Sequence, residues 1–255
     1  MIPKQIFICH KTAQMVEKFS APAWRALNPD YEVIAYGNQE CQRFLLEQFG
    51  QLHLDVFDYI KDPPIKADFW RVCILYKLGG VYADADIEPL VPISRFLEPG
   101  IVFLTVKSHS HNLNPHLIIS VPRHAILEKC IDTYLSFYST KKPYTYWGWS
   151  ITHMMHNVLM NELHTTQIAE GVYGNYQLIQ EVYPSSADKT NEYCSYKGVK
   201  LLMNRSAYYN PDNHTFSKVN QRALMPKIMK LLRKSVLPVM LGTSIIVSSM
   251  QAKES

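Results

Sequence analysis

The stretch from Pro63 to Asp86 restricts what this chain can fold into more than any other. Pro63 and Pro64 open an apolar run that reaches Leu78, and Gly79-Gly80 close it. Proline is tolerated in the first helical turn, where its missing N–H would have no intrahelical partner. Glycine ends helices by entering the left-handed conformation. The pattern therefore predicts a helix over Pro64–Leu78. Phe69, Trp70, Val72, Cys73, Ile74 and Leu75 make it apolar nearly all round, as in a helix buried on most sides. A short strand, Val81–Ala83, comes next, and Asp84 and Asp86 follow it directly. Extended backbone points positions i and i+2 to the same side. The spacing thus predicts two carboxylates converging beyond the carboxyl end of a strand, the edge at which open α/β sheets bind ligands. Converging anionic oxygens suit a hard divalent cation. Such a cation bridges a diphosphate and stabilises the charge on a leaving nucleoside diphosphate. An Asp-x-Asp alone also fits a solvated turn; the helix, glycine stop and strand before it are what single this one out.

Asp68 and Arg71 are three apart on the same helix and share a face. Buried charges need partners. Two arrangements meet that need: a structural ion pair, or two side chains turned into a cleft, with Asp68 accepting sugar hydroxyls and Arg71 donating to sugar or phosphate.

The remaining pattern alternates strand and helix. Gln5–Cys9 and Glu32–Tyr36 are apolar strands, Val16–Ala26 and Gln39–Phe49 are helices, and Asn28-Pro29-Asp30 is a turn. Ile101–Val106 and Leu117–Val121 are further strands, with His109, His111 and His116 in the loop between them. His124–Tyr138 has helical spacing. Residues 171–220 are rich in Tyr, Asn, Ser and Gly and predict loops and small strands. The alternation argues for an α/β fold with a mostly parallel central sheet in a single domain, 1–220.

Composition excludes several classes. Of the 255 residues 47% are apolar, enough for a core and too many for disorder. The net charge of +4 comes without a dense basic run before residue 220, which argues against nucleic-acid binding. Five scattered cysteines form no CxxC pair, so reduced thiols fit better than a zinc site or a disulfide framework. The first residues lack a long apolar segment of the secretory kind. A cytoplasmic protein is expected, free or held at the cytoplasmic face of a membrane.

After residue 221 the composition changes. Pro226–Lys234 is basic and amphipathic, and Val236–Met250 carries no charge. The apolar piece is shorter than the roughly 18–20 residues that span a bilayer. Two arrangements suit this tail, 221–255: a helix packed on the domain, or peripheral contact of 226–250 with an anionic membrane surface.

The block KADFWRVCILYKLGGVYADADIEPL, residues 66–90, resembles the core signature of glycosyltransferase family 32, which includes yeast-type initiating mannosyltransferases and capsular-polysaccharide sugar transferases. Ile2-Pro3-Lys4-Gln5-Ile6, Trp24 with Asn28-Pro29-Asp30-Tyr31-Glu32, and Asn114-Pro115-His116 through His124 resemble its other landmarks, so the likeness spans roughly residues 2–150. It implies a GT-A-like (Rossmann-like) fold, a UDP- or GDP-sugar donor, a glycan or lipid-linked acceptor, Mn²⁺ or Mg²⁺, and retention of anomeric configuration. By position, Asp68 and Arg71 would hold the donor sugar, Asp84 would touch ribose or sugar, and Asp86 would be the main metal ligand. His10 stands where the family has a tryptophan and would stack on the base. His214 would be the third metal ligand, or else an exposed loop histidine. Tyr146–Ser150 departs from the family's usual sequence, which leaves acceptor choice open. The competing classes are a catalytically inactive sugar-binding protein and a metal-dependent phosphohydrolase. The first predicts loss of the carboxylate pair, and the second usually needs further clustered ligands for two metals.

Overall fold

The computed structural model describes residues 1–110, 112–183, 192–205, 209–210 and 215–216. In chain order the elements are β1 Gln5–Cys9, α1 Ala13–Phe19, α2 Ala21–Leu27, β2 Glu32–Tyr36, α3 Asn38–Phe49, α4 Gln51–Tyr59, α5 Pro63–Leu78, β3 Gly80–Ala83 and β4 Ile87–Pro89. There follow β5 Phe103–Lys107, β6 Leu113–Ser120, α6 Ala125–Ser139, α7 Tyr146–Trp149, α8 Ile151–Leu163, β7 Gly171–Tyr173, β8 Tyr176–Val182, β9 Tyr193–Tyr196 and β10 Val199–Asn204. A small hairpin, β11 Tyr209–Asn210 with β12 Thr215–Phe216, is separate from the main sheet. The basic and apolar tail expected at 221–255 lies outside the described residues.

One large sheet has the order β2-β1-β3-β6-β5-β8-β9-β10-β4, with β7 added to β8. Strand β1 pairs in parallel with β2 and β3, through crossovers that carry α1–α2 and α3–α5. This is the α/β, GT-A-like arrangement that the resemblance implies. A mostly parallel sheet is not what forms, however. Beyond β3 the only parallel pair among the described residues is β5 with β8; β3–β6, β5–β6, β8–β9, β9–β10 and β10–β4 are antiparallel. The reason is connection length. A parallel pair needs a crossover of a dozen or more residues, whereas β5 and β6 are joined across 108–112 and β9 and β10 across Lys197-Gly198. Both turn residues have positive φ, 49° and 76°, as a tight hairpin requires.

The sheet is covered on both faces, which explains the unbroken apolar runs of its strands. Phe7, Tyr82, Phe103, Ile118 and Leu178 face α3–α6 and α8. Ile6, Ile8, Val81, Ala83, Leu104 and Ile119 face the other way, with Val16 and Trp24. Helix α5 is the buried helix that its composition predicts, with nine residues from Ile65 to Leu75 buried. Gly79 and Gly80 have φ of 66° and 94°. A Cβ at Gly79 would sit 2.7 Å from Pro122, and one at Gly80 would sit 2.8 Å from the Gln5 carbonyl. The double glycine thus both stops α5 and lets β3 lie against β1.

Local differences from the sequence pattern are instructive. The helix expected over Val16–Ala26 is broken at Ser20 into α1 and α2, with a proline opening α2. Helices α4 and α8 carry less obvious signals and were not anticipated. Strand β6 begins at Leu113, which places His116, expected in a loop, at 3% exposure within the sheet.

Candidate active site

A cavity of about 630 Å³ opens at the carboxyl ends of β1 and β3. Cys9, His10 and Lys11 follow β1 along one wall; Pro63, Pro64, Lys66, Ala67, Trp70 and Arg71 of α5 form another. Tyr82, Asp84, Ala85 and Asp86 close the floor. Asp84 and Asp86 therefore share one cleft. They reach it by a turn and not by strand alternation, because Ile87 N–H donates to the Asp84 carbonyl at 3.0 Å. The i+2 geometry assumed from sequence belongs to extended backbone, and here the strand ends at Ala83.

The turn is pinned carbonyl by carbonyl. Ser20 Oγ donates to the Ala85 carbonyl at 2.5 Å, Trp24 Nε1 to Ile87 at 3.1 Å, and Arg205 N–H to Asp86 at 2.7 Å. These contacts fix the peptide planes, so both carboxylates are aimed before any ligand arrives. Trp24, fully buried, thereby acquires a definite job.

Arg71 organises the charges. Its Nη2 lies 2.9 Å from Asp68 Oδ1 and 3.0 Å from Asp84 Oδ1. Its Nη1 donates to the Pro115 carbonyl at 2.6 Å, and its guanidinium stacks 4.5 Å above the Tyr82 ring. Tyr82 Oη donates to Asp84 Oδ1 at 2.6 Å. Asp68 is 7% exposed and stands behind Arg71, its Oδ2 accepting the Ile151 N–H at 3.1 Å. Both arrangements foreseen for Asp68 and Arg71 are thus combined. They form a buried ion pair, and Arg71, but not Asp68, lies on the cavity wall.

The electrostatics follow from this layout. Burial pushes the Asp68 carboxyl up to about 6 even though Arg71 opposes the shift. Burial would lower the Arg71 value, but Asp84, Tyr82 and Asp68 outweigh it and hold the guanidinium firmly charged. Asp86 is pushed up to about 7, first by burial and then by the neighbouring charge of Asp84, with Glu192 adding to the effect. Arg71 serves Asp68 and Asp84, so negative charge is left in excess at Asp86. That excess, on carboxylate oxygens, suits a hard divalent cation. Among the described residues no group of three or more His, Cys, Asp or Glu side chains is gathered to hold a metal. A two-carboxylate set matches the way Mg²⁺-like ions bind, through one or two carboxylates plus substrate phosphates and water. His214, the expected third ligand, lies outside the described residues.

A bulge in β6 locks the site to the rest of the sheet. Thr105 pairs with Ile118 and Lys107 with Leu113, so one β5 residue faces four on β6. Within the bulge, the Pro115 carbonyl accepts from Arg71 and the His116 carbonyl accepts from Asp84 N–H at 2.8 Å. Asn114 Nδ2 donates to Glu181 at 2.8 Å, and His116 Nε2 lies 3.2 Å from Cys194 Sγ. Sequence reasoning missed Tyr82, Trp70 and Lys66 as wall residues. Tyr82 could have been found, since it stands two residues before Asp84 on a strand whose Val81 and Ala83 face the opposite side.

Comparison with known proteins bears on this geometry. Residues 16–102 match the model of the glycosyltransferase sugar-binding region containing a DXD motif. Mannosyl phosphorylinositol ceramide synthase of Saccharomyces cerevisiae is 30% identical over 52% of this chain and 35% of its own length. Initiation-specific alpha-1,6-mannosyltransferase of Candida albicans is 33% identical over 34% of this chain and 23% of its own. Among solved structures, PaToxG glycosyltransferase superposes with a TM-score of 0.49 at 17% identity, covering 63% of this chain and 69% of that one. The likeness to the DXD-containing sugar-binding region thus covers about a third of the chain and includes α5, β3 and both carboxylates. The chain spans about a third of the length of the first of the two yeast relatives and less of the second.

Proposed function

We propose that this chain is a hexosyltransferase that moves a sugar from a UDP- or GDP-sugar to a glycan or lipid-linked acceptor, with retention of configuration. Likeness to the yeast relatives favours mannose as the sugar. The observation that carries the reading is the convergence of Asp84, Asp86 and Arg71 on one cavity sized for a nucleotide-sugar.

The roles follow from position. Asp86, with Asp84, would hold Mn²⁺ or Mg²⁺, which when bound neutralises the diphosphate and its developing charge. Arg71 fixes Asp84 in place and presents a permanent positive charge to donor sugar or phosphate. Asp68 keeps Arg71 oriented from behind. Tyr82 holds the Asp84 carboxylate in place through its hydroxyl. His10, on the opposite wall, would stack on the base, and Lys11 and Lys66 place further positive charge near the phosphates. Such groups act by orienting reactants and by electrostatic pre-organisation, which together supply most of the acceleration in transfers of this kind. Release of nucleoside diphosphate from a panel of UDP- and GDP-sugars, with and without Mn²⁺, tests the reading. Metal-dependent release from at least one donor is expected, and its absence across the panel rejects it.

A further inference from the structure

The segment from Tyr144 to Ile151 is strapped along the same end of α5 that forms the cavity wall. At one end Tyr144 Oη donates to Asp62 Oδ2 at 2.8 Å and accepts from Asp62 N–H at 3.2 Å. At the other, Ile151 N–H donates to Asp68 at 3.1 Å. Between these anchors α5 presents Pro63, Pro64, Lys66 and Ala67 to the cavity. The middle of this strap is α7, whose shape is fixed from within. Thr145 Oγ1 accepts from Gly148 N–H at 3.2 Å, and a Cβ at Gly148 would collide with that same oxygen. Lys142 Nζ donates to the Gly148 carbonyl at 3.1 Å and lies over the Phe137 ring, so its charge is spent on the segment itself.

This rigid turn holds two aromatic rings out of the core. Trp24, Trp70 and Trp149 are all 0% exposed, whereas Trp147 is 68% exposed and Tyr146 40% exposed. The two rings meet edge to face at 5.1 Å and 78°. Exposing a tryptophan on an ordered turn forfeits the burial that normally rewards so large a ring. Partial burial holds the Tyr146 hydroxyl above its ordinary value, and the charges of Asp68 and Asp62 add to the shift.

We propose that Tyr146 and Trp147 form an acceptor subsite for a polyhydroxylated six-membered ring, whose C–H face stacks on Trp147. The proposal rests on the transferase reading for the word acceptor. The ring chemistry has two sources, the terminal sugar of a glycan or the inositol of a lipid headgroup. Stacking supplies affinity without specifying hydroxyls, while the Tyr146 hydroxyl, at the side nearer Asp68, selects orientation. A membrane surface would also attract exposed tryptophan with the exposed Lys141 nearby, and the vesicle arm of the test separates that case.

Trp147 reports on its own occupancy, since the other three tryptophans are buried. Acrylamide quenching of the full chain is measured with Mn²⁺ and nucleoside diphosphate present, titrating mannobiose, myo-inositol 1-phosphate or anionic phosphatidylserine vesicles. The quenchable emission should disappear in Trp147→Phe, and in the unmodified chain one of the two ring ligands should shield it. The arm that shields identifies the source. In transfer assays Trp147→Ala should raise acceptor KM about tenfold with a smaller change in kcat, and Trp147→Phe should recover most of the loss. Shielding by vesicles alone, or by nothing, overturns the subsite, as does an acceptor KM that Trp147→Ala leaves unmoved. If no donor is turned over but a ring ligand still shields Trp147, the transferase reading fails while the ring site stands.

Discussion

Asp86 and Arg71 do different work, and substitutions should separate them. Asp86 is half-buried, and Arg71, which pairs directly with Asp84, reaches it only as a charge further off. Asp86→Ala should lower kcat/KM about 100-fold or more while leaving the fold intact, and Asp86→Asn should be nearly as poor because the amide keeps shape without charge. Steady-state kinetics in metal-controlled buffer, alongside a thermal melt, checks both; near-normal turnover in Asp86→Ala contradicts the metal role. Arg71 is 4% exposed and neutralises a buried carboxylate. Arg71→Met should cost about 3–5 kcal/mol in urea unfolding, since Asp68 is left buried and uncompensated. Asp68→Asn in the same chain should return part of that loss. The pH dependence of Asp68 has a definite sign. Its folded-state value, about 6, is above the ordinary 3.8, so the folded protein binds this proton more tightly than the unfolded chain does. Its contribution is fully present below 3.8 and is lost as pH rises through about 6. The stability of the unmodified protein minus that of Asp68→Asn should therefore fall over this window. A difference that grows with pH would mean that Arg71 outweighs burial.

At the scale of elements, the block from α5 to Asp86 was legible because each of its signals is local. Prolines open the helix, glycines close it, and an apolar strand leads to the carboxylates. The positions of Gly79 and Gly80 add a contact that sequence does not display, the close approach to Pro122 and to Gln5. Gly80→Ala should cost about 2–3 kcal/mol, because φ is positive and the new Cβ meets backbone. Gly50→Ala has a similar φ of 88° but open space around it, so it should cost less, about 1–2 kcal/mol from backbone strain alone. Equal losses in the two variants would show that the close approach to β1 contributes nothing. The β6 bulge was not legible. Asn114-Pro115-His116 looks like a loop, and its role is set by partners on α5, β8 and β9 that are distant in sequence. The same holds for the turn at Asp84–Ile87, where the strand was assumed to continue. Asp68 was legible as a buried charge, but not its place behind Arg71, which depends on how α8 meets α5.

At the scale of the whole molecule, a parallel β2-β1-β3 unit supplies the ligand-binding edge, and an antiparallel extension braces it through β6 and β10. The sequence indicated the first part through its strand–helix alternation; the second depends on which short connections become hairpins, a long-range matter. Among the described residues no helix is long and apolar enough to cross a membrane. The tail at 226–250 is proposed to act in surface attachment, through Lys227, Lys230, Arg233 and Lys234 beside an uncharged apolar segment. Each such cation contributes about 1 kcal/mol near an anionic leaflet. Removing residues 226–255 should abolish flotation with anionic liposomes and spare transfer to a soluble acceptor; unchanged flotation, or unfolding of the shortened chain, contradicts attachment. Asp84, Asp86 and Arg71 are proposed to form one metal-assisted nucleotide-sugar site. Calorimetric titration of GDP and UDP into the full chain and into Asp86→Ala, with Mn²⁺ and then with EDTA, tests it most directly. Binding of one nucleotide that requires both Mn²⁺ and Asp86 is the predicted result. Equal affinity in EDTA, or in Asp86→Ala, would contradict it.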